Sequence, residues 1–274
     1  MYSADGHSTF SSNQVATLRI LFASLALLPF GIRAFKTLDF RKDILPFSIV
    51  AICGNLAPAF LFTYAETGIS SGLAGMLNSI TPIFTILIAI FIFKDKMNYR
   101  QFVGTAIGFM GVGLLLYFGK QNSIEGEWSH IISVLGATLC YAISLSVIRY
   151  KLSHYKSLDI AAIAFLLLLL PSMVLFFTED TLNTFQNNIQ IWNSLSAILI
   201  LSIVGTALAL FIFNTIIKNT SALFASSVTY FIPIVAVVFG FFFNEVITAL
   251  QITGMLIALL GVFIANSNSR QKSS

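Results

Sequence analysis

Charge is what this chain has least of. Only 9% of its 274 residues are Asp, Glu, Lys or Arg, while 57% are hydrophobic. A soluble domain carries roughly 25% charge. So few charges cannot cover a water-facing surface of this size, which excludes an ordinary soluble domain and makes lipid the solvent for most of the chain. The net charge of +4 is then no signal for nucleic acid, because the basic residues sit in short loops, where they mark topology. Cysteine is also scarce. Cys53 and Cys140, both inside apolar runs, exclude a disulfide framework and read as buried thiols. The histidines, His7, His130 and His154, stand far apart without His-x3-His spacing, so no metal centre is expected. There is no Gly-x4-Gly-Lys-Ser/Thr loop to hold a nucleotide, which excludes a primary pump. No catalytic constellation and no cofactor site is read. Residues 1–14 are polar and lack both a basic start and an apolar core, so no signal peptide is expected.

What the chain does have is long apolar runs. A bilayer core takes about 20 apolar residues per helix, and nine segments qualify: 15–34, 44–65, 72–93, 101–119, 130–150, 159–178, 194–216, 222–243 and 248–266. The expected fold is an all-α polytopic membrane protein. The longest polar connections are 120–129 and 179–193, the first a candidate seam between halves.

Two stretches repeat. AGMLNSITPIFTILIAIFIFKDKMNYRQFVGTAIGFMGV runs from Ala74 to Val112, and ASSVTYFIPIVAVVFGFFFNEVITALQITGMLIALLGV from Ala225 to Val262. They align Pro82 with Pro233, Asp95 with Glu245, Gln101 with Gln251, Gly104 with Gly254 and Gly111 with Gly261. The match extends backwards through Gly54/Gly205, Phe60/Phe211, Phe62/Phe213 and Ser70/Ser221, and loosely to Pro29/Pro171. An internal repeat of membrane-length segments is the mark of a transporter scaffold. It divides the chain into a first repeat, 1–119, and a second, 130–267.

The loop charges orient the repeats. Thirteen of the fifteen Lys and Arg residues fall on alternate loops, Lys120 falls on the others, and Arg19 lies within a segment. The crowded side is assigned to the cytoplasm, which puts the C-terminus there too. The loop at Asp95 is basic and inward; its mate at Glu245 holds no Lys or Arg and is outward. The repeats are therefore inverted, as in alternating-access carriers with a central site between halves. Segment 130–150 has no partner in the first half. The pairing thus expects a helix before residue 15, where the chain offers only MYSADGHSTFSSNQ, and Met1 reads as an internal methionine.

The small-x-Pro, apolar run, acid, Gly, Gly pattern at Ala74–Gly111 and Ala225–Gly261, with LRILFASLALLP at 18–29, resembles the EamA family of the drug/metabolite transporter superfamily. The resemblance covers Val15 to Ser267 and is specific for architecture, not for substrate. It implies ten helices in two inverted five-helix repeats, here four plus five, and movement of small organic molecules, often export of amino acids. The lacking first helix would line the central cavity in that family, which puts transport by the chain as given in question. The expected setting is a bacterial inner membrane, with lipid and a small-molecule substrate as partners and no nucleic acid. The runner-up reading is a membrane sensor or scaffold, including a non-transporting truncated homologue.

Candidate site residues come from polarity inside the apolar runs. Gly75, Asn78, Ser79 and Pro82 share one helical face, with Thr81 beside them. Their repeat mates are Ser226, Thr229, Tyr230 and Pro233. Polar groups in lipid are costly and turn to the bundle interior or a wet cavity; these faces either line a cavity or bond helices together. The prolines should leave the carbonyls of Asn78 and Thr229 without a donor. Asn55, Tyr64, Thr206, Asn214 and Tyr141 are further candidates, Tyr64 alternatively an interfacial residue. Arg19 either attracts an anion or snorkels to the surface. Gly104, Gly108 and Gly111, with Gly254, Ala258 and Gly261, form small-residue faces for helix packing that also suit a homodimer. No Asp or Glu lies deep in a segment, so no buried proton relay is read.

Overall fold

The computed structural model describes residues 10–96, 98–119, 128–179, 181–187, 191–209, 231–242 and 247–266. All regular structure among them is helical: α1 (Ser12–Phe35), α2 (Phe40–Ala51), a first π-turn (Ile52–Leu56), α3 (Ala57–Ala65), α4 (Ser71–Leu77), a 3-10 turn (Asn78–Ile80), α5 (Thr81–Phe91), α6 (Tyr99–Gly119), α7 (Trp128–Lys151), α8 (Ser157–Thr178), α9 (Thr181–Asn187), α10 (Ile191–Ser202), a second π-turn (Ile203–Leu208), α11 (Phe231–Phe242) and α12 (Ala249–Asn266). Ser12–Phe35, Phe40–Ala65, Ser71–Phe91, Trp128–Lys151 and Ser157–Thr178 are long and apolar enough to cross a bilayer, and Ile191–Thr206 and Ala249–Ala265 are shorter apolar helices. Large apolar side chains such as Leu170, Phe91 and Phe242 point outward, which only a lipid solvent makes favourable. The chain is an integral membrane protein.

Helix starts follow local chemistry. Ser11 and Gln14 form a capping box at α1. Gln101 accepts from the Asn98 amide at 2.9 Å, and Gln251 from the Thr248 amide at 2.8 Å. The matched glutamines are thus the third-residue acceptors that satisfy orphan donors at the starts of α6 and α12.

The described chain divides into two compact units that cut across the sequence repeats. The first takes Met1–Tyr64 and Val147–Lys218. Its main packing is α1 on α8, the pair that carries Pro29 and Pro171. A Cβ at Gly31 would lie 2.9 Å from the Ala162 carbonyl oxygen, so the helices touch by backbone. Phe10, Leu18, Ile191 and Ile198 form an apolar cluster at one end. At the other end the Tyr155 hydroxyl donates to Asp43 at 2.8 Å and accepts from the Asp39 amide at 3.2 Å, while its ring meets Phe47 edge-on. Burial first, and then the Asp43 carboxylate, raise the Tyr155 pKa, so the phenol stays a donor.

The second unit takes Ala65–Ser146 and Asn219–Ser274. Here α6 packs along α12, and α4 along α11. A Cβ at Gly104 would fall 2.5 Å from the Gly261 oxygen, and one at Gly111 2.7 Å from the Gly254 oxygen. The first residue of one stripe faces the last of the other, so α6 and α12 run antiparallel and exchange repeat-matched positions about a local two-fold. Gly108 and Ala258 sit inside this seam. The small faces offered above for a homodimer therefore already cover each other within one chain.

Three readings need correction. Within the connection 179–193 a short helix forms, α9, because Phe185 packs on Phe10 and Phe176 and Gln14 donates to Thr184 at 3.1 Å. Both cysteines are half-buried rather than buried. The Asn78 carbonyl does not lack a donor, because the chain tightens ahead of Pro82 and the Thr81 amide donates to it. The 3-10 turn replaces the bond that proline cannot make, and Pro82 takes its favoured place in the first turn of α5.

Candidate functional site

Hydroxyls inside these helices are mostly satisfied locally. Ser48, Thr63, Thr85, Ser146 and Ser202 each donate to a carbonyl four residues back, at 2.7–2.9 Å. Against that background the exceptions stand out. Thr17 and Ser24 on α1 are fully buried, Ser79 and Thr105 nearly so, and none of these hydroxyls has a partner among the described residues. An unpaired buried hydroxyl costs about 1–3 kcal/mol.

In the first unit the helix that carries two of the exceptions packs on an uncommon backbone. π-turns are rare and recur at functional sites, since the widened turn leaves carbonyls short of donors. The first spans Ile52–Leu56 and the second Ile203–Leu208. With Gly54 aligned on Gly205, Ile52 aligns on Ile203 and Asn55 on Thr206: both π-turns begin at the same repeat position, and each holds a predicted polar site residue. In the first, the Asn55 amide donates to the Val50 carbonyl at 3.3 Å, and the Ala57 amide reaches back five residues to Ile52. α1 packs against both turns. It carries Thr17 and Ser24, two turns apart on one face, and Arg19, which is half-buried and has no ion pair among the described residues. Arg19 stands about 200° round α1 from Thr17 and Ser24, so the helix turns its cation and its buried hydroxyls to different sides.

The second unit holds the other group. The Thr81 hydroxyl donates to Asn78 Oδ1 at 3.1 Å, Ser79 is buried beside them, and α11, with Pro233 buried in it, packs on this 3-10 turn. Tyr141 lies half-buried on α7. Tyr64, which belongs to the first unit, is exposed at the end of α3, as an interfacial tyrosine would be. Asn214, Ser226, Thr229 and Tyr230 lie outside the described residues. Sequence reasoning missed Thr17 and Ser24, although their seven-residue spacing inside LRILFASLALLP's helix is a helical-face signal. It also missed Thr105, a lone polar residue among glycines.

At the edge of the first unit Gln14 is buried, and its amide donates to the Glu179 carbonyl at 2.9 Å. Glu179 follows α8, and burial raises its pKa; its Oε2 has no partner among the described residues.

Bilayer-length helices, repeat-matched π-turns and buried unpaired hydroxyls describe a transporter's interior. The chain belongs to the EamA-like transporter family, whose pattern matches residues 2–117 and 128–267. Its kinship is with membrane transporters rather than with enzymes. It is 25% identical over 263 residues to a "Probable terminal-alkyne amino-acid exporter" of Streptantibioticus cattleyicolor, covering 90% of this chain and 82% of that one. It is 24% identical over 261 residues to "Uncharacterized transporter YoaV" of Bacillus subtilis, covering 89% and 86%. A solved crystal structure shares the fold at a TM-score of 0.58 and 14% identity, over 97% of this chain and 90% of that one.

Proposed function

We propose that this protein is a secondary carrier that exports a small polar metabolite of the amino-acid class by alternating access, with its site where α1 meets the two π-turns. The observation that carries the reading is the recurrence of a π-turn at one repeat position, with Asn55 in the first and Thr206 in the second. The widened turns offer polar backbone as well as side chains, and backbone of that kind is tolerated at membrane depth where it lines a cavity. Arg19 would draw in the carboxylate. The amino-acid class is supported by the name of the Streptantibioticus relative and export by the same name.

The mechanism uses the inverted repeats. Nine spans in two oppositely oriented copies, read from the loop charges, put the C-terminus in the cytoplasm of the inner membrane, and the antiparallel exchange of matched residues between α6 and α12 supports that inversion. Alternation of one repeat against the other would expose the π-turns to each side in turn.

The test is counterflow in proteoliposomes loaded with a panel of amino acids and their amides. Saturable flux of an amino acid, lost for its carboxamide and weakened by Arg19→Gln, is the expected result. Binding without flux would turn the reading to a sensor, and flux of the amide equal to that of the acid would remove Arg19 from the site.

A further inference from the structure

The hairpin of α5 and α6 carries a feature that lies outside the proposed transport site. A groove of about 320 Å³ lies between these helices, lined by Leu87, Ile90 and Phe91 from α5 and by Phe102, Thr105 and Phe109 from α6. That is within the size range of small-molecule sites. Phe91 and Phe102 are 77% and 60% exposed, so the groove opens sideways. In a chain that spans the bilayer, sideways means the acyl region. The wall is apolar throughout, because Thr105 turns its hydroxyl away from the groove and buries it.

The turn that closes the hairpin is basic. Lys94, Lys96 and Arg100 are exposed there, with Asp95 the one carboxylate among them. Lys94 is also the one non-glycine residue with positive φ among the described residues, at 58°. The left-handed region costs an L-residue roughly 1–2 kcal/mol, and glycine is its usual occupant. A lysine is therefore kept where glycine would be the cheaper residue.

We propose that this hairpin binds one anionic glycerophospholipid, with an acyl chain in the groove and the phosphate against Lys94, Lys96 and Arg100. A soluble phosphate ester would satisfy the basic turn but leave the apolar groove empty, which favours lipid. Basic clusters at the ends of spans attract anionic headgroups. The inference requires that the chain span the bilayer; it does not depend on transport.

The experiment is native mass spectrometry of the full chain released from nanodiscs holding equal amounts of phosphatidylglycerol and phosphatidylcholine. One phosphatidylglycerol per chain, retained over phosphatidylcholine by about tenfold, is expected. Replacing all three basic residues, Lys94→Gln, Lys96→Gln and Arg100→Gln, should bring the ratio near one. Ala106→Phe, which fills the groove from an exposed position, should lower retention of both lipids. Lys94→Gly relieves the backbone and removes one charge, so it should fold at least as well and cut the preference severalfold. Equal retention by the wild type, a preference unchanged in the charge variants, or displacement by millimolar glycerol phosphate would overturn the assignment.

Discussion

The α6–α12 seam and the meeting of α1 with the two π-turns are both built from repeat-matched positions, and they use the match in opposite ways. In the seam the matched residues are glycine and alanine, and the backbones close until no side chain fits between them. At the π-turns they are Asn55 and Thr206, both half-buried, and the backbone widens, with the Asn55 amide donating to the Val50 carbonyl. One matched pair gives rigidity, and the other is where we propose the ligand binds. Apolar helices gain nothing from the hydrophobic effect inside lipid, so close backbone contact has to supply the adhesion. Polarity can then be concentrated where a ligand needs it.

The seam is the easier half to break. Gly111→Leu should destabilise by about 3 kcal/mol or more, because the atoms in the way are backbone and cannot move aside; the midpoint of unfolding in detergent would show it. Gly113, two residues on, has open space around its Cβ position. Gly113→Ala should cost nothing and gain up to about 1 kcal/mol in helix propensity. Equal losses at both positions would mean the seam is not what holds α6. At the π-turns the expected effect is functional: Asn55→Leu with Thr206→Val should remove most flux while leaving insertion and the unfolding midpoint close to wild type. Tyr155→Phe removes the hydrogen bonds to Asp43 and Asp39 and should cost about 1–3 kcal/mol without altering substrate selectivity.

The smallest effect concerns Glu179, which lies outside both regions. Burial raises its pKa in the folded protein, so the fold prefers the protonated acid. Its contribution is fully present below the unfolded carboxyl pKa and is lost as pH rises through the higher folded value. Glu179→Gln should therefore raise the unfolding midpoint at pH 7 and change it little at pH 4. A larger gain at pH 4 would reverse the sign and remove burial as the cause.

Much of this comparison was legible in the sequence. The stripe Gly104, Gly108, Gly111 and its mate Gly254, Ala258, Gly261 were visible as small residues at helical spacing, and Asn55 and Thr206 as polar residues in apolar runs. What joins them was not. A π-turn depends on one extra residue in a helical turn, which composition does not encode, and only the Gly54/Gly205 match hinted that the two helices share a local feature. The matched Gln101 and Gln251 were visible, but their work as helix caps needed Asn98 and Thr248 in place. α9 was hidden because its residues are mostly polar, and its fold is decided by Phe185 meeting Phe176 nearby and Phe10 far away in sequence. The carbonyl of Asn78 was misjudged because a 3-10 turn can absorb a proline where an α-helix would lose a bond.

The most direct measurement is counterflow of a transported amino acid in proteoliposomes, comparing wild type with the Asn55→Leu, Thr206→Val pair at matched insertion. Flux near background in the pair, with a wild-type unfolding midpoint, is the predicted result. Flux at the wild-type rate would contradict a site at the π-turns and leave them as features of packing.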